Sequence, residues 1–238
     1  MTKSYILTKS KYIRGLQCVK AMYLDVYHPK LARYSPETLA KFRQGRAFER
    51  TFKDTFPDAI DLNFHLGMNI CRYPALTASL LQQEGPVTLF EAGFLYDGVL
   101  VLADVLHKQP DGSVVIYEVK NSGAVSDTFA HDVAIQHYVI SHALADISDL
   151  FHDALRLTQF NLLYHDDEGH FIPQDLTARA RSLADDIPAR LSRFKALLRE
   201  KEEPAVAPSA HCDTPYECPY KRHCLSSAKT WLTQLDCE

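Results

Sequence analysis

The chain has 238 residues, enough for a full hydrophobic core within one domain plus an elaboration. Its formal net charge of −4 excludes a uniformly basic nucleic-acid binder but leaves room for a local basic groove. No stretch has the run of apolar residues that a membrane span needs, and MTKSYILTKSKY is too poor in apolar residues for a secretory leader, so a cytoplasmic location is expected.

Segment 1–34 reads as helical and carries a crowd of cations, Lys3, Lys9, Lys11, Arg14 and Lys20, together with Cys18. Residues 36–56 read as a helix with Ser35 as N-cap, Pro36 at the first position, and Leu39, Phe42, Phe48, Phe52 and Phe56 as its apolar set. Three strands follow as a meander: 87–96, ending at the hairpin turn Asp97-Gly98, then 99–107, then 113–119. A second helix is expected over 128–142 with Asp127 as cap, and a further strand over 154–164. Residues 177–203 read as a long helix bent or broken at Pro188, and 204–209 (PAVAPS) as a linker. The expected fold class is α/β, with a core of helix, three-strand meander, helix and strand. One domain is expected, divided into 1–34, a core over 35–165, and a C-terminal helix and cysteine array over 166–238.

The middle of the meander, VLVLADVLHKQPDGSVVIYEVKN, carries charges at the ends of strands that look buried on both faces: Asp104, Glu118 and Lys120. Side chains alternate along a strand, so Glu118 and Lys120 share a face. A buried carboxylate needs a partner, and a metal ion supplies one. With Asp104 opposite, two carboxylates could hold Mg²⁺ or Mn²⁺ while the Lys120 ammonium reaches a phosphate or a water, which is equipment for phosphodiester hydrolysis. The competing reading is a solvated hairpin face with a weak cross-strand ion pair.

Six cysteines are present, and three form a terminal array, Cys212-x5-Cys218-x5-Cys224. In a reducing compartment such clustering points to metal rather than to disulfides, and three thiols need a fourth ligand from elsewhere. The competing reading of Cys18 is a small buried hydrophobe on an amphipathic helix. Cys71 and Cys237 read as bystanders, and His211 as a substitute ligand. Lys221, Arg222 and His223 place a second basic group between the last two array cysteines.

These residues resemble those of the PD-(D/E)XK nucleases, a superfamily with a restriction-endonuclease-like core, and specifically the RecB-like branch with an iron–sulfur cluster, which includes the CRISPR-associated adaptation nucleases. The segments LTKSKYIRGLQCVKAMYL, FEAGFLYDGVLVLADVL, YEVKN, DVAIQHYV and HCDTPYECPYKRHC look most like a bacterial domain-of-unknown-function subfamily of that branch. The resemblance implies catalytic roles for Asp104, Glu118, Lys120, Gln136 and Tyr138. It implies a metal site of Asp104, Glu118 and the Val119 carbonyl, with Glu91 as a second-shell or second-metal carboxylate. It implies a 4Fe-4S cluster on Cys18, Cys212, Cys218 and Cys224; the missing C-x2-C pair departs from the family pattern and leaves zinc open.

Many members also take a histidine from the helix before the sheet. Here that context reads Gly45-Arg46-Ala47-Phe48-Glu49, so Glu49 substitutes, His65 reaches in, or the site runs with fewer ligands. The expected function is metal-dependent hydrolysis of DNA, single-stranded or with free ends, in repair or in defence against foreign DNA. Two other readings stay open: a catalytically weak nucleic-acid-binding or complex-assembly module, and a domain with a structural zinc staple.

Overall fold

A computed structural model describes residues 6–67, 69–151 and 154–226, the side chains of His65 and Leu66 excepted. The chain is α/β and forms two compact units. One takes in the chain up to Lys9 with Lys41–Ile187, and the other Ser10–Ala40 with the chain from Pro188 onward. The partition therefore cuts across the expected segments 1–34, 35–165 and 166–238, because strand pairing and helix packing join distant segments.

The first unit is built on a seven-stranded mixed sheet of order β2-β3-β4-β5-β6-β7, with β1 paired to β4 off this path. The strands are β1 (Leu7–Thr8), β2 (Ile60–Asp61), β3 (Val87–Tyr96), β4 (Val99–Lys108), β5 (Ser113–Val119), β6 (Arg156–His165) and β7 (Phe171–Asp175). β3, β4 and β5 make the expected antiparallel meander. β6 runs parallel to β5, which demands a long crossover, and the 25-residue helix α6 (Asp127–Phe151) supplies it while packing on β3, β4 and β6. β1, β2 and β7 went unread in the sequence because each is too short, or too polar, to show a period.

Several helix ends differ from the expectation for identifiable reasons. α3 spans Pro36–Lys53 and stops before Phe56, where Thr55 and Phe56 turn to i→i+3 bonds ahead of Pro57. Its expected apolar stripe is split. Phe48, Phe52 and Phe56 pack on Phe90, Val105, Val119 and Leu163, whereas Leu39 and Phe42 are exposed. α6 starts one residue early, capped by Ser126, whose Oγ accepts from the Phe129 amide at 3.3 Å. The long C-terminal helix is two helices, α7 (Thr177–Ser182) and α8 (Ile187–Glu200), with Pro188 inside the first turn of the second, where its missing N–H costs nothing.

A helix that periodicity did not reveal, α5 (Tyr73–Leu81), covers β3 and fits only because Gly93 has no side chain. A Cβ at Gly93 would lie 2.4 Å from the Tyr73 Cβ and 3.0 Å from the Tyr73 carbonyl carbon. The Tyr73 hydroxyl is held in turn at α4 (Leu62–Leu66), by the Asn63 side-chain Oδ1 at 2.5 Å and the Gly67 backbone carbonyl at 2.7 Å.

In the second unit, α1 (Lys9–Gln17; from Ser10 onward in this unit) and α2 (Val19–Tyr27) pack with α8. The contact face includes Tyr12 on Phe194, and Tyr23 and Tyr27 donate to the carbonyls of Lys201 and Leu198. The buried stripe of α8 is Ile187, Leu191, Phe194 and Leu198, the last three within this unit.

Gly93→Ala should cost about 1–3 kcal/mol through overpacking. Gly45→Ala, where an added Cβ meets nothing within 4 Å, should be neutral or stabilising by about 0.5–1 kcal/mol. Urea unfolding midpoints at unchanged slope check both.

Candidate functional site

β4 and β5 pair from Lys108/Val114 to Val105/Tyr117 and then part. One residue further, the β4 backbone is no longer bonded to β5, and the Asp104 side chain takes over: its Oδ2 accepts the Val119 N–H at 2.7 Å. Val119 thus joins the site through its amide. On the other edge of β4, Phe90/Val105 and Ala92/Ala103 are paired, while the intervening Glu91 has a φ of 56°. Strict alternation would send Glu91 to the face opposite Phe90, but this left-handed residue breaks the pleat. Such strain in a non-glycine residue costs of order 1–3 kcal/mol and gathers at functional positions.

The consequence is a group of three carboxylates. Glu49 of α3, Glu91 of β3 and Asp104 of β4 offer oxygens that all lie within 4.8 Å of one another. Of the two substitute ligands named from the sequence, Glu49 joins this group, and the His65 side chain lies outside the described residues. Lys53, one turn after Glu49, reaches Glu49 at 2.5 Å and Glu91 at 2.6 Å.

Glu118, almost fully buried, faces a different set. Its Oε1 takes Lys120 Nζ at 2.5 Å and Lys9 Nζ at 2.7 Å, and its Oε2 takes Gln136 Nε2 at 2.7 Å. Both lysines also meet Asp132, Lys120 at 2.8 Å and Lys9 at 3.6 Å. Asp132 and Gln136 are four residues apart on α6 and share a face, as does Phe129, whose ring lies 5.9 Å from the Lys120 ammonium. Gln136 is fully buried, and its Oε1 has no protein partner, an acceptor waiting for a donor such as water. Tyr138 does not join this site. Two residues along a helix is a rotation of roughly 200°, and its ring packs on Tyr96 at 5.6 Å and His142 at 4.7 Å.

Electrostatics divide the acids. Burial, and then the charge of Glu118, push the Asp104 carboxyl well above its ordinary range. Burial likewise raises Glu91, against the pull of Lys53. Glu118 is lowered despite burial, because Lys120 and Lys9 outweigh it. Burial works against the charge on Lys9 and Lys53 too, yet their carboxylate neighbours hold both above the usual lysine range. Glu49, Glu91, Asp104, Glu118 and Asp132 carry five negative charges against three positive ones on Lys9, Lys53 and Lys120, leaving −2 when all are ionised. A proton on Asp104 relieves part of that, and a divalent cation relieves all of it. Oxygen donors of this kind suit Mg²⁺ or Mn²⁺.

The four cysteines implied by the resemblance all belong to the second unit. Cys18 is the N-cap residue of α2, Cys212 closes a short 3₁₀ turn, and the Cys218 amide donates to the Cys212 carbonyl at 2.8 Å. Gln17, beside Cys18, donates to the His211 and Tyr216 carbonyls at 2.8 and 2.7 Å and so ties the helix to the array. Burial raises the Cys218 and Cys224 thiols; Cys18 and Cys212 push both further up, as Cys218 does Cys224.

Among the described residues no three of these thiols fall within 4.8 Å of one another. Cys71 is exposed in the first unit, Cys237 lies outside the described residues, and His211 Nδ1 is engaged with Ser209.

Of the two basic groups read in the sequence, Arg14 pairs with Asp25, Lys20 with Glu203 and Lys221 with Asp213, while Lys9 serves the carboxylates; Lys3 lies outside the described residues. Asp132, Lys9 and Lys53 were missed in the sequence. Asp132 was readable, one helical turn before Gln136, but nothing local marks Lys9 or Lys53.

No family model matches the chain, and no curated protein matches it. A solved structure described as "Crystal structure of SSO0001" is similar at 10% identity and a TM-score of 0.41, over 92% of this chain and 85% of that one, too slight a likeness to carry an argument.

Metal uptake at the carboxylates should release protons. Asp104 keeps its proton above the usual carboxylate range, so Mn²⁺ must displace it, and Mn²⁺ affinity should rise with pH until that raised titration is complete. Titration calorimetry in buffers of different ionisation enthalpy should detect the release, and Asp104→Asn should reduce both it and the pH dependence. For the thiols, anaerobically isolated protein should hold about four irons per chain. Cys18→Ser should lose them as fully as Cys218→Ser, with a lowered melting temperature, while Cys71→Ser keeps them.

Proposed function

We propose that this protein is a Mg²⁺- or Mn²⁺-dependent deoxyribonuclease of the RecB-like PD-(D/E)XK type, acting in DNA repair or in defence against foreign DNA. In this reading α3, β3 to β5, α6 and β6 are its restriction-endonuclease-like core, and the cysteine unit holds a 4Fe-4S cluster. The observation that carries it is the convergence of Asp104, Glu118, Lys120 and Gln136 where β4 and β5 separate, beside the acid group completed by Glu49 and Glu91.

Asp104, Glu91 and Glu49 would hold the divalent ion, with Glu118 joining as its lysines give way. The bound ion supplies a water of lowered pKa and neutralises phosphate charge. Gln136 fixes the Glu118 carboxylate, and its free carbonyl oxygen accepts from a water in the site. Lys120, anchored between Glu118 and Asp132, keeps a cation where charge grows on the phosphate, the kind of preorganised stabilisation that dominates catalysis in dry sites. DNA contact falls to exposed cations. Arg33, Lys221 and Arg222 line one groove of the second unit with Tyr34, a pairing of phosphate-binding and stacking groups.

One observation favours the alternative of a catalytically weak binding module: both oxygens of Glu118 are already taken by Lys9, Lys120 and Gln136. Turnover decides between the two. With contaminating nuclease excluded, the wild type should cleave single-stranded DNA or DNA ends only with Mg²⁺ or Mn²⁺. Asp104→Asn, Glu118→Gln and Lys120→Ala should each lower kcat by about 10²-fold or more while remaining folded. Undiminished cleavage in all three would remove the assigned centre.

A further inference from the structure

We infer that Lys9 is a further positioning residue of the proposed centre: it competes with the divalent ion for Glu118 and, displaced toward Asp132, keeps a second cation in place for turnover. The inference rests on the nuclease reading for its turnover half and on geometry for its metal half.

Lys9 arrives by a route of its own. Leu7 and Thr8 pair in parallel with Val99 and Leu100 of β4, and the next residue carries its ammonium to Glu118 and Asp132. Lys120 reaches the same two acids from β5. The four groups form a closed ring of alternating charge, Lys9–Glu118–Lys120–Asp132, in which every charge has two opposite neighbours.

A carboxylate oxygen holding two ammonium groups is a poor ligand for a hard cation, so a divalent ion must loosen one of them before Glu118 can serve it. Asp132 lets that happen inside the site, because it already touches both lysines and keeps either one paired after it leaves Glu118. A lysine that served folding alone would leave a different trace. Its loss would weaken the strand, the acids and the metal together, whereas loss of a competitor makes the cluster more negative and strengthens metal binding.

The test is Mn²⁺ binding to the full-length protein, followed by the electron paramagnetic resonance of free Mn²⁺, alongside melting temperature and DNA cleavage. Lys9→Gln should bind Mn²⁺ about tenfold more tightly than the wild type, a difference of about 1.4 kcal/mol. At saturating Mn²⁺ it should cleave about tenfold or more slowly. Lys9→Arg, which keeps the charge and the bulk, should return the affinity to the wild-type value or below it, and it carries the test if Lys9→Gln does not fold. Unchanged or weaker Mn²⁺ binding in folded Lys9→Gln, or Lys9→Arg binding more tightly than the wild type, would overturn the competition. Tighter binding with an unchanged cleavage rate would overturn the positioning role. A wild type that binds Mn²⁺ but never cleaves would remove the nuclease reading and the turnover half with it, while the shift in affinity would still stand.

Discussion

Everything at the site depends on the Asp104 carboxylate accepting the Val119 amide proton where β4 and β5 have stopped pairing. Without that bond the separation would leave a buried donor unpaired, a penalty of about 1–3 kcal/mol. With it, the two strands hold a gap at fixed width, and the next residues of β5, Glu118 and Lys120, stand beside a carboxylate rather than beside a backbone ladder. The same carboxylate has been pushed well up by burial and by Glu118, so it closes the backbone gap while leaving the cluster short of positive charge.

That shortage is distributed over both layers that flank the sheet. α3 contributes Glu49 and Lys53, held in place by the packing of Phe48 and Phe52 on the sheet. α6 contributes Asp132 and Gln136 from a face that is otherwise buried. Neither helix places a lone charge: Lys53 lies between Glu49 and Glu91, and Asp132 between Lys9 and Lys120. Each of these charges has two opposite partners, so loosening one pair leaves the other to compensate it, and the pairs act as a network. The left-handed backbone at Glu91 is the local cost of turning its carboxylate toward α3.

In the second unit the cysteines are brought together by ordinary bonds. Gln17 clasps the array loop, Tyr220 donates to Asp25 at 2.6 Å, and the Arg33 amide donates to the Pro219 carbonyl at 2.8 Å. A group bound by the thiols would therefore reinforce contacts that already exist between these segments. This is the setting in which metal binding adds to folding stability rather than replacing it.

The sequence by itself determined the meander, the two flanking helices and the strand-end charges Asp104, Glu118 and Lys120, because strand composition, a Pro-Asp-Gly turn and helix capping are all local signals, whereas Gln136 came only through the resemblance. It also marked the terminal cysteine array, with Cys18 joined to it only through the resemblance. Only the tertiary structure decided which carboxylates share a space. Glu91 reaches Glu49 through a left-handed residue that no pattern announces, and Lys9 enters through a two-residue strand paired with β4 some ninety positions away. Tyr138, which the sequence set beside Gln136, was carried to another face by the helical rotation between them. Short strands, backbone twists and long-range pairing leave no periodic trace in the chain, and those were what assembled the charges into one cluster.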